Sequence, residues 1–293
     1  MNRRINVNKI IIIALICALS TTAGYAAPGP FNDKHREQIT QAMVIKAKVK
    51  LDTPRKALVY YKASGFRHGS IPTINVCLDI MGKETGAFTA DFSDQAEDFT
   101  AEKLKNYDLL IFNNTTKLQK AFQTPESRNA ILDFIKNGGG FVATDAGHPE
   151  WPEYVELVGG VFDGHPWNHT GTYGISIDDP QHCCVDHYPQ TTFKISDELY
   201  RYKEYDRQKQ RVLMTIDTRV SPANNQRRDN DHALTWVKKF GQGHVFISAF
   251  GHNDHLCWDP GMLQLWLNGI QFAAGDLKGE TDALAQPEWQ IQK

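Results

Sequence analysis

The chain has 293 residues, with 32 lysines and arginines against 34 aspartates and glutamates and a formal net charge of −2. Its bases are scattered, and even the densest stretch, "QRRDNDH" (226–232), sets acids beside them, so nucleic-acid binding is not expected. This length suits one large α/β domain or two small ones, and no internal repeat or low-complexity tract divides it.

Residues 1–26 read as a secretory signal peptide: Arg3, Arg4 and Lys9 precede the apolar run 10–18, and small residues lead to Ala26 and Ala27. The run is too short, and too promptly followed by small residues and Pro28, to favour a membrane anchor. Cleavage near Ala26 leaves about 265 residues at a net charge of about −5, with a periplasmic or secreted location and no membrane anchor as the expectation. Cys77, Cys183, Cys184 and Cys257 survive cleavage. A disulfide scaffold normally holds a much smaller domain, and adjacent cysteines are not a CxxC redox motif, so their pairing stays open.

Residues 27–54 form a polar, partly helical arm, and an α/β pattern follows over 55–275. "KALVYY" (56–61) is a first strand, "KASGFRHGS" a loop, and 71–81 a helix with Ser70 as N-cap and Pro72 in its first turn. "AFTADF" (87–92) is a second strand, "FTAEKLKNY" a short helix, and "DLLIF" (108–112) a third strand ending in "NNTT". The next helix opens on Thr124-Pro125-Glu126 and closes at the glycines 138–140, before a fourth strand, "GFVAT" (140–144). Such alternation implies parallel β-α-β units with helices on both faces of the sheet. From 161 to 216 the pattern changes to strand-like pieces, "GTYGISI", "TTFKI" and "RVLMTI", read as an inserted antiparallel segment flanking the site. "HVFISAF" is another strand, a helix spans 260–274, and 276–293 is a tail.

The ordered series "GFRHGSI", "GGGFVAT", "WPEYVELVGGVFDGHPWNH", "DELYRY" and "WVKKFGQGHVFISAFGHNDHLCWDP" resembles the ThuA-like, or trehalose-utilisation, family over about residues 55–275. The resemblance implies a flavodoxin-like, class I glutamine amidotransferase-like three-layer sandwich with a mostly parallel sheet. It also implies work on sugars, particularly 3-keto disaccharides and glycosides. One departure stands out: family members commonly carry "GIH" after "GGGFV", where this chain has Ala143-Thr144-Asp145, and His148 is placed to substitute. No cysteine occupies the nucleophile elbow and Cys77 falls within a helix, so glutamine hydrolysis is not expected.

The candidate residues lie on loops leaving the carboxyl ends of the strands, where ligands gather in such sheets. His68, beside Arg67, follows the first strand; Asn113 and Thr115 follow the third; Asp145 and His148 follow the fourth. "GHPWNHT" carries His165, Trp167, Asn168 and His169. Its proline and glycines forbid a helical pair of histidines, so the rings act from a loop. Trp167 suits stacking on the C–H face of a sugar, with Asn168 and His169 for its hydroxyls. Glu198 and His252 complete a catalytic set with His68 and His165, since sugar chemistry moves protons at hydroxyls and at carbons next to a carbonyl. Each residue also has a structural reading: a helix cap, a packed ring, an Asx turn or a solvated loop.

Three or more histidines with a carboxylate permit a divalent metal such as zinc, although neither HxH nor HExxH spacing is present. Two functions remain open: an exported carbohydrate-processing lyase, isomerase or hydrolase, and a non-catalytic sugar-binding protein on the same scaffold. In both, the partner is a small-molecule carbohydrate.

Overall fold

The computed structural model describes residues 30–145, 147, 150–222 and 227–291. The segment 1–26, expected to be a signal peptide, and His148 lie outside them. Among the described residues no helix is long and apolar enough to cross a membrane.

In chain order the elements are α1 (Arg36–Ala42), β1 (Arg55–Tyr60), α2 (Ile71–Thr85), β2 (Phe88–Ser93), α3 (Ala101–Leu104), β3 (Leu109–Asn113), α4 (Pro125–Lys136) and β4 (Gly140–Thr144). They continue with α5 (Pro152–Val158), β5 (Val161–Phe162), β6 (Tyr173–Ile177), β7 (Thr192–Ile195), β8 (Tyr202–Lys203), β9 (Arg211–Ile216), β10 (Ala233–Phe240), β11 (Gly243–Ser248), α6 (Pro260–Ala273) and α7 (Glu288–Ile291). Nine strands form one sheet in the order β2-β1-β3-β4-β11-β10-β9-β6-β7, and β5 pairs with β8 separately.

The half from β2 to β11 is parallel throughout. Its inner strands β3 and β4 are buried at every position, because helices cover both faces and leave no residue for water. The helices fall into two groups: α1, α2 and α6 contact one another directly or through the 3-10 turn Asp254–Trp258, while α3, α4 and α5 pack in series. Right-handed crossovers place the two groups on opposite faces. Thr124 caps α4, its hydroxyl accepting from Ser127 N with Pro125 behind it, as the sequence suggests.

The expected antiparallel part is present. It continues the same sheet: β10 forms a hairpin with β11, and β9, β6 and β7 add outward in antiparallel pairs. The C-terminal segment packs back onto this half, with Gln290 buried and donating to Thr215 Oγ1, and Arg219 over the Trp289 ring.

Because β1, β3, β4 and β11 run parallel, their carboxyl ends share one edge. A hydrogen-bond knot ties these ends together. Asn114 donates to Ser70 Oγ (3.0 Å) and Gly251 O (2.8 Å) and accepts from Thr144 Oγ1 (3.0 Å). Ser70 sits at the N-cap position of α2, but its hydroxyl donates to Gly251 O instead. Gly251, at φ +144°, has a conformation closed to other residues, and a Cβ there would also meet Asn114 Oδ1 at 3.0 Å. The knot therefore holds the loop that carries His252.

Candidate active site

Two dyads meet at this edge. In the first, His68 leaves the end of β1 and Asp145 the end of β4. Both are buried, with His68 Nε2 2.9 Å from Asp145 Oδ2 and the Tyr200 hydroxyl 3.5 Å from the same nitrogen. Asp145 adopts a left-handed conformation (φ 47°), which aspartate tolerates better than most side chains, and its N–H donates to Ser248 O of β11. The residue that departs from the family pattern thus gives His68 a carboxylate partner.

In the second dyad, Glu198 is nearly enclosed. Its Oε1 lies 3.3 Å from His252 Nδ1 and its Oε2 3.6 Å from His165 Nδ1. Burial favours the neutral acid, but the hydrogen bond to His252 and the nearby His252, His165 and His68 outweigh it, holding the carboxyl below its ordinary value. Burial likewise opposes charge on His252, yet the Glu198 hydrogen bond and the carboxylates of Glu198, Asp145 and Asp197 raise its pKa. The His68 and His252 rings stand edge to face at 4.9 Å and join the dyads.

A backbone pairing brings His165 to Glu198. Leu199 N donates to Trp167 O and Arg201 N to Gly164 O, so "GHPW" and "ELYR" run antiparallel, and across this pairing His165 Nδ1 reaches Glu198 Oε2. Asp197 fixes the opposite wall. Its carboxylate accepts from the backbone of Gly251 (2.9 Å), His252 (3.4 Å) and Asn253 (2.8 Å), while burial pushes its pKa up to about 7 against the pull of those donors.

The catalytic candidates His68, His165, Glu198 and His252 therefore converge. Several binding candidates do not reach the cleft. Trp167 is 1% exposed, its indole N–H donating to Ser221 O and its ring against His232, so the expected stacking surface is a core residue. Asn113 is fully buried and donates to Ile71 O and Asn75 Oδ1, pinning α2. Thr115 is buried and hydrogen-bonded to Tyr154. Asn168 accepts from the Thr170 N–H and hydroxyl, an Asx turn. Each polar group is spent inside the protein.

His169 is exposed but stacks on His252 at 5.5 Å, and Arg67 is exposed at the rim beside His68. Two side chains that the sequence did not single out belong to the site. Tyr200 contacts His68, and Phe66, 67% exposed, sets its ring 4.9 Å from His68. Tyr200 arrives from 132 residues away, which no local pattern announces, whereas Phe66 stands two residues before His68 in the same loop.

His68, Asp145 and His252 form one set with donor atoms within 4.8 Å of one another, and His169, Glu198 and His252 form another; either has the nitrogen and oxygen donors of a zinc-type site. Cavities of about 1100 Å³ along α3 and α4 and about 540 Å³ beside Cys183 lie elsewhere, so chemistry rather than volume locates the site.

Fold and site together define an α/β protein of the class I glutamine amidotransferase-like type, with a histidine-carboxylate centre at the carboxyl edge of its sheet. The family model described as trehalose utilisation matches residues 56–273, and the chain belongs to this ThuA family. Among solved structures it resembles a ThuA-like protein from Bacteroides uniformis (21% identity, 77% of this chain and 94% of that one, TM-score 0.63). A ThuA-like protein from Parabacteroides merdae is similar at 18% identity over 79% of this chain and 98% of that one, TM-score 0.58. At these identities the two bear out the fold alone. No curated protein matches the sequence.

Proposed function

We propose that the protein is an exported enzyme that acts on an oxidised, 3-keto disaccharide or glycoside by acid-base chemistry. One observation carries the reading: a single enclosed carboxylate, Glu198, lies within 3.3 and 3.6 Å of two imidazoles at the ligand-binding edge of the sheet. The family's description as trehalose utilisation supports a sugar substrate.

A 3-keto group acidifies the neighbouring C–H, so the first step of elimination, isomerisation or hydrolysis is proton removal with support for the enolate oxygen. Glu198, kept ionised by His252, takes that proton. His252, kept protonated by Glu198, faces the developing oxyanion, and half-exposed His165 carries protons to and from solvent. Phe66 offers the aromatic surface that Trp167 does not, and Phe66→Ala is expected to raise KM about 2- to 12-fold with little change in kcat.

The pH dependence follows from the two shifts. The raised pKa of His252 makes its contribution complete at low pH and lost as pH climbs through that raised value, above 6.5. The lowered pKa of Glu198 makes its contribution complete above 4.5 and lost as pH falls through the lowered value. A pH-rate profile is therefore expected to be flat from 4.5 to 6.5, with an acid limb below and a basic limb above; an acid limb inside that window contradicts the assignment.

The reading is tested by incubating the mature protein with 3-keto-glucosides and their parent disaccharides, with and without chelator, and following products by mass spectrometry. Turnover of a keto substrate is expected. Saturable binding without turnover of any candidate would overturn the enzyme and leave the binding protein.

A further inference from the structure

His182, Cys183 and Cys184 lie on the loop after β6. That strand runs opposite to β11, so this loop emerges at the sheet edge remote from His252, beside the starts of β9 and β11 and the C-terminal end of α6. Their three donor atoms lie within 4.8 Å of one another. Cys184 and His182 are buried, and Cys183 opens onto a cavity of about 540 Å³ lined also by Asp179, Arg211, His244 and Glu280.

The histidine is set as a ligand would be. His182 Nε2 is 3.1 Å from Glu280 O, a contact only an N–H can make, which fixes the lone pair on Nδ1. Nδ1 lies 3.9 Å from Cys183 Sγ, and its lone pair accepts from Cys184 N at 3.2 Å, a hydrogen bond that a bound metal would displace. In a tetrahedral zinc site with Zn–S of ~2.3 Å and Zn–N of ~2.0 Å, sulfur and nitrogen stand ~3.6 Å apart, close to the separation found. The backbone leaves room for this: a Cβ on Gly279 would meet His182 Nε2 at 2.7 Å and Cys183 Sγ at 2.8 Å. α6 ends here and exposes the negative end of its dipole, and the nearby cations Lys48 and Arg211 are each paired with an aspartate, Asp186 and Asp179.

We infer that His182, Cys183 and Cys184 form a binding site for a thiophilic d10 cation of the zinc type, separate from the candidate active site. On binding, both sulfurs are thiolates and the thiol protons pass to solvent, so the two ligands neutralise a divalent ion. Three protein donors leave a fourth position open toward the cavity.

Cadmium serves as the probe, because its thiolate complexes have an ultraviolet charge-transfer absorption that the metal-free protein lacks. The reduced mature protein, titrated with Cd²⁺ and weighed by native mass spectrometry, is expected to bind one thiolate-ligated ion whose absorption disappears in Cys183→Ser and weakens at least tenfold in affinity in His182→Asn. His252→Ala, which removes both histidine-carboxylate sets, is expected to leave the band intact. Cys183 is half-buried at a loop, so its serine variant keeps the core; a circular dichroism spectrum checks this. Absence of a thiolate band, its survival in Cys183→Ser, or its loss in His252→Ala would each overturn the site. So would a wild-type chain that carries a Cys183–Cys184 disulfide which reductant does not open.

Discussion

Glu198→Gln is expected to lower turnover of a 3-keto glucoside by about 10²- to 10⁴-fold, the range associated with loss of a positioned base. The amide keeps the size and much of the hydrogen bonding of the carboxyl, so KM should change little. Two effects combine. The proton acceptor is gone, and His252 loses the carboxylate whose hydrogen bond and charge raise its pKa. In the variant the basic limb should therefore move to lower pH while the acid limb disappears, a paired change that a purely structural role for Glu198 does not produce. His165→Ala should cost less, because His165 is 53% exposed and 3.6 Å from Glu198, a distance at which water can serve as the proton carrier. If Glu198→Gln retains wild-type turnover, the base is another residue.

Trp167→Ala is expected to reduce stability by about 3–5 kcal/mol in denaturant unfolding, the cost of emptying a large aromatic from a close-packed core. The buried Ser221 carbonyl loses its donor as well, adding about 1–3 kcal/mol. Trp167→Phe, which keeps most of the ring and removes only the N–H, separates the two contributions. The variant should also be impaired in turnover beyond what stability explains, because the Trp167–Leu199 pairing positions Glu198 against His165. A loss below about 1 kcal/mol would mean that the ring is replaceable by solvent, as a surface platform would be.

Much of the parallel half was legible in the sequence. β1, β3 and β4 are short apolar runs closed by polar loops, and α4 carries Thr-Pro at its start and glycines past its end; local chemistry sets these boundaries. The antiparallel half was less so, since period-two strands announce themselves but not the neighbours they choose. Reading β6, β7 and β9 as a flanking insertion missed that the β10–β11 hairpin lets them extend the same sheet. His68, His165, Glu198 and His252, which converge in the candidate site, each sit in a distinctive stretch of the family pattern, and that stretch is what singles them out in sequence. Trp167 and Asn113 were misread for one reason. A polar or amphipathic side chain at a strand end looks the same in sequence whether it faces a ligand or satisfies a buried backbone group, and here Ser221 O and Ile71 O claim them. Asp197 illustrates the converse: its three backbone partners lie more than fifty residues away, which no local reading reaches.

The most direct test is hydrogen exchange at the carbon next to the ketone. A 3-keto glucoside incubated in deuterated water with the mature protein and followed by proton NMR is expected to lose the signal of the proton adjacent to the ketone faster than in buffer, and to keep it with Glu198→Gln. Substrate that binds saturably and shows neither exchange nor conversion above the buffer rate would contradict proton abstraction by this site.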